Sequence, residues 1–239
     1  MTLILCEAGD PAASWAAERL RARGRSVDIV TGAALGDAAR WEHRIDGTAA
    51  AVRVTLADGQ ILSSDAPRPI LNRLGFAPLD RLRATAGEDY CYASQELFAF
   101  YLSWLHAWPA VVINRPTPQG LGGNQRHGSA WAALAAAAGL PTRRWRQSDE
   151  DPPGFGWAPA PAAAMAFVVA GRALLPPELA GDLAAPCRAL AAGAGTALLG
   201  IGFAGDAQGG WEMVGASPVP DLAPGGEPLV EALAEALAE

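Results

Sequence analysis

Between Arg115 and Arg146 the sequence sets five arginines, Arg115, Arg126, Arg143, Arg144 and Arg146, with His127 beside Arg126 and no acid before Asp149. A guanidinium is a planar fork of donors that matches a carboxylate or a phosphate. The run QGLGGNQRHG, which holds Asn124, is of the glycine-rich kind that brings backbone N–H groups close to an anion. Two readings stay open here. One is a site for an anion or an acidic peptide built from Arg115, Asn124, Arg126, His127, Arg143, Arg144 and Arg146; the other is a solvated charged face beside a linker. For nucleophilic catalysis the hydroxyls of Ser129 and Ser217 are candidates, but His43, His106 and His127 fall in unrelated contexts and offer neither serine a visible base. His106 is expected to be a packed or capping residue. His127, in a glycine-rich loop beside an arginine, is the candidate for a general base, and no catalytic residue is assigned.

The composition narrows the chemistry further. All 18 basic residues are arginine, so Schiff-base catalysis and a phosphate-gripping lysine are excluded. The formal net charge of −7 disfavours a nucleic-acid partner. With 51% hydrophobic residues, 239 residues are enough for one large domain or two small ones with a buried core. No unbroken apolar run reaches the roughly 18 residues of a membrane span, and the opening MTLILC reads as a strand without a basic region or a cleavage site. No signal peptide, no membrane and a cytoplasmic setting are expected. Cys6, Cys91 and Cys187 are scattered and odd in number, which argues against a disulfide framework or a zinc site and for buried thiols.

The elements that must position these residues follow from periodicity and capping signals. LILC, then a helix capped by Asp10 with Pro11 in its first turn and closed by Gly24, then SVDIVT, make a βαβ unit, with no G-x-G-x-x-G between strand and helix. The alternation AVRVTLADGQI, broken at Asp58-Gly59, predicts a hairpin, and Pro69 to Gly75 another strand. Glu88 to Ala107 predicts a helix with Leu97, Tyr101, Trp104 and Leu105 on one face; Val111 to Asn114 a strand; and Ser129 to Gly139 a second capped helix. Ser148 to Pro161 reads as an exposed linker or long loop, and charge divides there: residues 1–150 hold 16 arginines and 15 acids, residues 151–239 two arginines and ten acids. Beyond it the pattern is the strand AMAFVV, the helix PPELAGDLAAPCRALAAGAG with a kink or a break expected at Pro186, the strand TALLGIGF, a turn, the hairpin partner WEMVG and the amphipathic helix EPLVEALAEALA.

The stretch INRPTPQGLGGNQRHGSAWAALAAAAGLPT, a strand ending in Asn114-Arg115-Pro116 followed by a loop and an alanine-rich helix, resembles the junction between the pre-ATP-grasp and ATP-grasp domains of ligases that modify ribosomal peptides. LLGIGFAGDAQGGWEMVGASPVP is similar to the segment that supplies magnesium ligands in the same fold. The resemblance implies an α/β chain: a Rossmann-like pre-ATP-grasp domain over residues 1–115, the basic loop and helix at 116–148, a linker at 149–161, and a small α+β remnant of the ATP-grasp C-terminal subdomain at 162–239.

It also implies what to look for and does not find it. The family forms an acyl phosphate with ATP, using magnesium held by oxygen ligands and cations on the phosphates. An acid in the strand before the hairpin and a Glu-x-Asn after it stand here as Gly202, Gly215 and Ser217, with only Pro218 retained. The two family lysines are absent, and about 20 residues lie between Pro141 and AMAFVV where the family places a subdomain with a glycine-rich lid. Asp206, Glu212 and Asp221 are the acids that could substitute, with Glu212 expected to face solvent. The resemblance therefore implies a catalytically degenerate binding protein for a peptide or partner enzyme in ribosomal-peptide or natural-product maturation, with no cofactor and no metal. Two alternatives stay open: an ATP-dependent carboxylate-amine ligase with an unusual site, which alone would use ATP and magnesium, and a structural subunit of a hetero-complex. Whether the chain forms a homodimer is also left open.

Overall fold

Thr2–Cys6 (β1) is buried at all five positions, as a strand covered on both faces of a parallel sheet must be. It pairs in parallel with Val27–Thr31 (β2) on one side and Ile70–Arg73 (β6) on the other. Val112–Ile113 (β7) completes the order β2-β1-β6-β7. The crossover from β1 to β2 is the helix Pro11–Ala22 (α1), whose first turn is satisfied by the Asp10 carboxylate, which accepts from the N–H groups of Ala12 and Ala13 at 2.9 and 3.1 Å. Such a cap stabilises by about 1 kcal/mol. A short helix, Gly32–Gly36 (α2), follows β2. The computed structural model describes residues 1–79, 82, 87–143, 161–179, 182–206 and 209–238. They fall into two units, Met1–Asn124 with Leu233–Glu239, and Gln125–Ala232.

The first unit carries a second sheet, antiparallel, of Arg40–Asp46 (β3), Ala49–Thr55 (β4) and Ile61–Ser63 (β5). The Asp58-Gly59 hairpin lies where its sequence signal sets it, between β4 and β5. Between the sheets runs one core of Leu3, Leu5, Val52 and Val54 with Tyr101, Trp104 and Trp108, the last three on or just after the helix Gly87–Ala107 (α3). Tyr101 and Trp104 of α3 are thus core, in edge-to-face contact with each other, and Trp104 likewise with Trp41 and Trp108, while Tyr92 of the same helix is 68% exposed. Asn72 at the end of β6 is 1% exposed, and its amide is spent: Nδ2 donates to the carbonyls of Asn114 and Leu121 at 2.8 and 2.6 Å, and Oδ1 accepts from the N–H of Leu74. A buried amide with its partners in place fixes the loop after β7 against the sheet.

The second unit is an antiparallel sheet in the order β11-β10-β8-β9, built of Ala164–Val169 (β8), Arg172–Leu174 (β9), Leu198–Gly205 (β10) and Trp211–Ser217 (β11). β8 and β9 are joined by Ala170-Gly171, with φ of 47° and 82°, the left-handed pair a two-residue hairpin requires. One face of the sheet, with Ala164, Ala166, Val168, Leu199, Ile201 and Phe203, packs on the helices Gly128–Ala137 (α4) and Ala184–Ala194 (α5). Of the kink or break expected at Pro186 the chain has a break, set upstream of the proline: Pro177–Leu179 forms a separate 3-10 turn and α5 starts at Ala184. Pro186 then sits in the first turn, where a missing N–H leaves no helical bond unmade. Gly226–Ala236 (α6) closes the chain.

Candidate functional site

Along β10 successive side chains alternate between faces, so the face opposite α4 and α5 receives Gly200 and Gly202. Their partners across the hairpin are Ser217 and Gly215, and the register slips by one residue between Gly202 and Phe203, giving Val214 as the extra residue of a bulge. A hollow opens on this face, with Ala162 at its edge. That hollow, about 340 Å³, is floored by Gly200, Gly202 and Gly215 and walled by Met165, Val214 and Pro220, with Ser217 and Asp221 on its polar side. The two glycines of the central pair differ in an important way. A β-carbon on Gly202 would lie 2.9 Å from the Ala162 β-carbon and 3.6 Å from Val214 Cγ2, whereas one on Gly215 would meet nothing within 4 Å. Gly200 is closed by the Pro220 ring.

Of the acids weighed as replacement ligands, Asp206 and Glu212 are engaged elsewhere, and Asp221 lines the hollow. Asp206 closes its own turn by accepting the Gly210 N–H at 2.7 Å. Glu212 pairs with Arg143 at 3.0 Å and is only 20% exposed, so it does not face solvent as the strand alternation suggested. Asp221 lines the hollow and accepts the Ala223 N–H at 3.1 Å, while the Ser217 hydroxyl accepts the Val219 N–H. Among the described residues no group of three His, Cys, Asp or Glu side chains could hold a metal ion. One carboxylate and one hydroxyl, with glycines at the other two positions and no lysine in the chain, do not fit a magnesium nucleotide, which needs hard oxygen ligands and cations on the phosphates.

The arginine set divides between the units. In the first, Arg115 donates to the carbonyls of Leu105, His106, Trp108 and Ala110 at 3.2–3.4 Å, closing the end of α3. Asn124, half-buried, is the last residue of the first part of that unit. In the second, Arg126 lies over the Trp131 ring at 5.9 Å with its Nε buried and without an acceptor. His127 is the N-cap of α4: its Nδ1 accepts the Ser129 N–H and stands 2.9 Å from Ser129 Oγ. Ser129 therefore does have an imidazole partner, a contact that the i,i+2 spacing at a helix start carried and that sequence reasoning passed over. Pro141 and Thr142 run beside β11, pairing with Met213, so Arg143 enters the unit through backbone as well as through Glu212. Arg144 and Arg146, and the linker residues up to Ala160, lie outside the described residues.

Two further expectations change. His106 is exposed rather than packed, and only its carbonyl serves a cap. Cys91 is exposed as well, while Cys6 and Cys187 are buried and burial pushes each thiol up to about 11. His43 packs edge-on against Phe100. At the carboxyl ends of β1 and β6, where the connections leave in opposite directions, Arg73 and Asp10 form an ion pair at 2.8 Å that is 4% and 11% exposed. Burial alone would raise the Asp10 carboxyl; the Arg73 hydrogen bond and charge, with the N–H groups of Ala13 and Ala12, outweigh it and hold the group below its ordinary range.

No family model matches the sequence, and no curated protein matches it. Solved structures do match the fold. The macrocyclase MdnC from Microcystis aeruginosa MRC, bound with precursor peptide MdnA, superposes with a TM-score of 0.68 at 13% identity over all of both chains. The ATP-grasp ligase PsnB, complexed with minimal precursor, Mg and ADP, superposes with a TM-score of 0.64 at 16% identity over all of this chain and 98% of that one. A Chryseobacterium gregarium RiPP-associated ATP-grasp ligase, in complex with ADP and a leader and core peptide, gives 0.67 at 8% identity over 99% and 96%. The fold class expected from the sequence, and its resemblance to peptide-modifying ATP-grasp ligases, is thus the fold found: α/β, with a parallel sheet and antiparallel sheets.

Proposed function

We propose that this chain, with the ATP-grasp-like fold of peptide-modifying ligases, is a catalytically degenerate member of that architecture that binds a peptide or a partner enzyme during peptide modification. The observation that carries the reading is the contact at Gly202. Where the resemblance sets a metal-ligating acid there is no β-carbon, and the space one would need is taken by Ala162 at 2.9 Å. A lost ligand alone is restored by one substitution; a lost ligand whose space has been filled is not. Gly215 and Ser217 at the other two positions and the absence of lysine point the same way.

Peptide recognition is supported by the neighbours of the same fold that hold precursor, leader or core peptides. In the second unit the groups suited to an acidic peptide are Arg126, His127 and Arg143, with Arg144 and Arg146 following in sequence. Arg126 brings an unpaired Nε and His127 is exposed at the start of a helix, where positive potential gathers.

Calorimetric titration with Mg-ATP, alongside an ADP-release assay, tests the reading. Silence in both is expected, and magnesium-dependent binding with turnover would overturn it in favour of a ligase with a rebuilt site. The Arg143→Ala, Arg144→Ala, Arg146→Ala triple variant tests the basic set. It is expected to lose binding of an oligoglutamate probe, with a modest fall in melting temperature from the loss of the Arg143–Glu212 pair.

A further inference from the structure

The strand β3 reads Arg-Trp-Glu-His-Arg-Ile-Asp. Alternation sets Trp41, His43 and Ile45 on the face toward α3 and Arg40, Glu42, Arg44 and Asp46, alternating in sign, on the outer face. Among the described residues β4 is the only strand that β3 pairs with, so β3 is an edge of its sheet. Which of its peptide groups are open follows from β4. Val52, opposite His43, donates its N–H to the Ser64 hydroxyl and accepts the Ser64 N–H at its carbonyl, both at 2.9 Å and both on the β5 side. His43 and Val52 are therefore a non-hydrogen-bonded pair, and in an antiparallel ladder such pairs alternate with bonded ones. The N–H and C=O groups of Trp41, His43 and Ile45 thus point out of the sheet, and no backbone hydrogen bond among the described residues takes them up.

Proteins blunt such an edge with charge, but here the order of the charges favours one partner. Turned end for end about His43, the strand meets its own copy with Arg40 against Asp46, Glu42 against Arg44 and Trp41 against Ile45. An axis through Glu42 or Arg44 sets arginine on arginine and acid on acid, and an axis through Trp41 or Ile45 keeps only half of the opposite-charge pairs. Within one copy Arg40 pairs with Glu42 at 3.0 Å, whereas Arg44 and Asp46 are exposed and have no ion pair among the described residues. Ile45 is 70% exposed. We propose that β3 is a dimerisation edge, to which a second copy of this chain adds antiparallel about a twofold axis at His43, joining two three-stranded sheets into one. The pairs Trp41–Ile45, His43–His43 and Ile45–Trp41 are then the bonded ones, each exchanging two main-chain hydrogen bonds. On the inner face Ile45 is covered by Trp41 of the second copy. On the outer face Arg44 and Asp46 gain Glu42 and Arg40, and opposite charges directly across a strand pair attract.

Sedimentation velocity of the full chain over a concentration series tests this, with thermal melts to confirm that each variant folds. The parent is expected to show a monomer–dimer equilibrium in about the micromolar range, as small interfaces do. Glu42→Arg alone sets arginine against arginine, and Arg44→Glu alone sets acid against acid, at both symmetry-related positions. Each is expected to dimerise at least about tenfold more weakly. An equimolar mixture of the two variants restores both attractions, as does the double variant Glu42→Arg, Arg44→Glu, and both are expected to recover dimerisation near the parent value. A loss caused by misfolding would not be mended by mixing. Ile45→Lys, at an exposed position of the open edge, sets a cation on the hydrophobic inner contact and is expected to weaken the dimer about tenfold at an unchanged melting temperature. A parent that stays monomeric up to about 200 µM, a dimer indifferent to all three single substitutions, or charge variants that do not recover on mixing would each overturn the proposal.

Discussion

The β-carbon of Ala162 stands 2.9 Å from where a β-carbon on Gly202 would be, so two residues 40 positions apart decide whether this sheet can carry an acid at its centre. Gly202→Asp must push the Ala162 backbone aside, because a β-carbon has no rotamer to retreat into, and it is expected to lose about 1–3 kcal/mol, as overpacked sites do. Gly215→Asp, on the directly opposed residue, meets open space and is expected to stay within about 1 kcal/mol of the parent, since strand glycine is itself weakly unfavourable. Urea denaturation of the two variants reads the difference; equal stabilities would show that the Ala162 contact yields freely.

Asn72 is the polar counterpart of that apolar contact. Its replacement by Leu keeps the volume roughly and removes three hydrogen bonds at once, leaving the carbonyls of Asn114 and Leu121 and the N–H of Leu74 without this partner. Each buried group so orphaned costs about 1–3 kcal/mol, less whatever water or relaxation recovers. A loss of about 3 kcal/mol or more is expected in chemical denaturation, with the amides of the loop after β7 exchanging faster than those of β1. A loss under about 1 kcal/mol would show that the loop is held by other contacts.

Much of this fold was written in local signals. β1, α1, β2, the β4–β5 hairpin, α3 and the sheet strands β8, β10 and β11 all lie where burial runs, caps and turn residues set them, because each signal acts within a few residues. β3 was passed over: RWEHRID alternates Trp41, His43 and Ile45 with charged residues, Ile45 is 70% exposed, and only Trp41 and His43 pack toward α3. β9, three residues long, carries too little pattern to register. The same distinction governs the site. That Gly202, Gly215 and Ser217 share one hairpin was legible from spacing; that Ala162 fills the space above one glycine, and that Val214 bulges beside it, depends on contacts between distant segments that no local period encodes.

The Arg73–Asp10 pair predicts a pH dependence with a definite sign. Asp10 titrates below its ordinary carboxylate value in the folded chain, so the folded state binds fewer protons there than the unfolded one. Its contribution is fully present above the unfolded carboxylate value and is lost as pH falls through the lowered folded one. Asp10→Asn should flatten the acid limb of a stability-against-pH curve and lower the neutral plateau. Arg73→Met, which strands a buried carboxylate, should cost about 3–5 kcal/mol at neutral pH and lose less at low pH. A parallel offset of wild type and Arg73→Met across the whole acid range would refute the linkage.

The three cysteines should separate cleanly by reactivity, because the thiolate is the species that attacks. Burial holds Cys6 and Cys187 up to about 11, so at pH 8 both their thiolate fraction and their access are small, while Cys91 is exposed on α3. Titration with an aromatic disulfide under native conditions is expected to release one equivalent quickly and the remaining two only at the rate of unfolding, reaching three in denaturant. Cys91→Ser should remove the fast phase entirely. A fast phase that survives this substitution would place Cys6 or Cys187 at the surface and contradict the packing of β1 or α5.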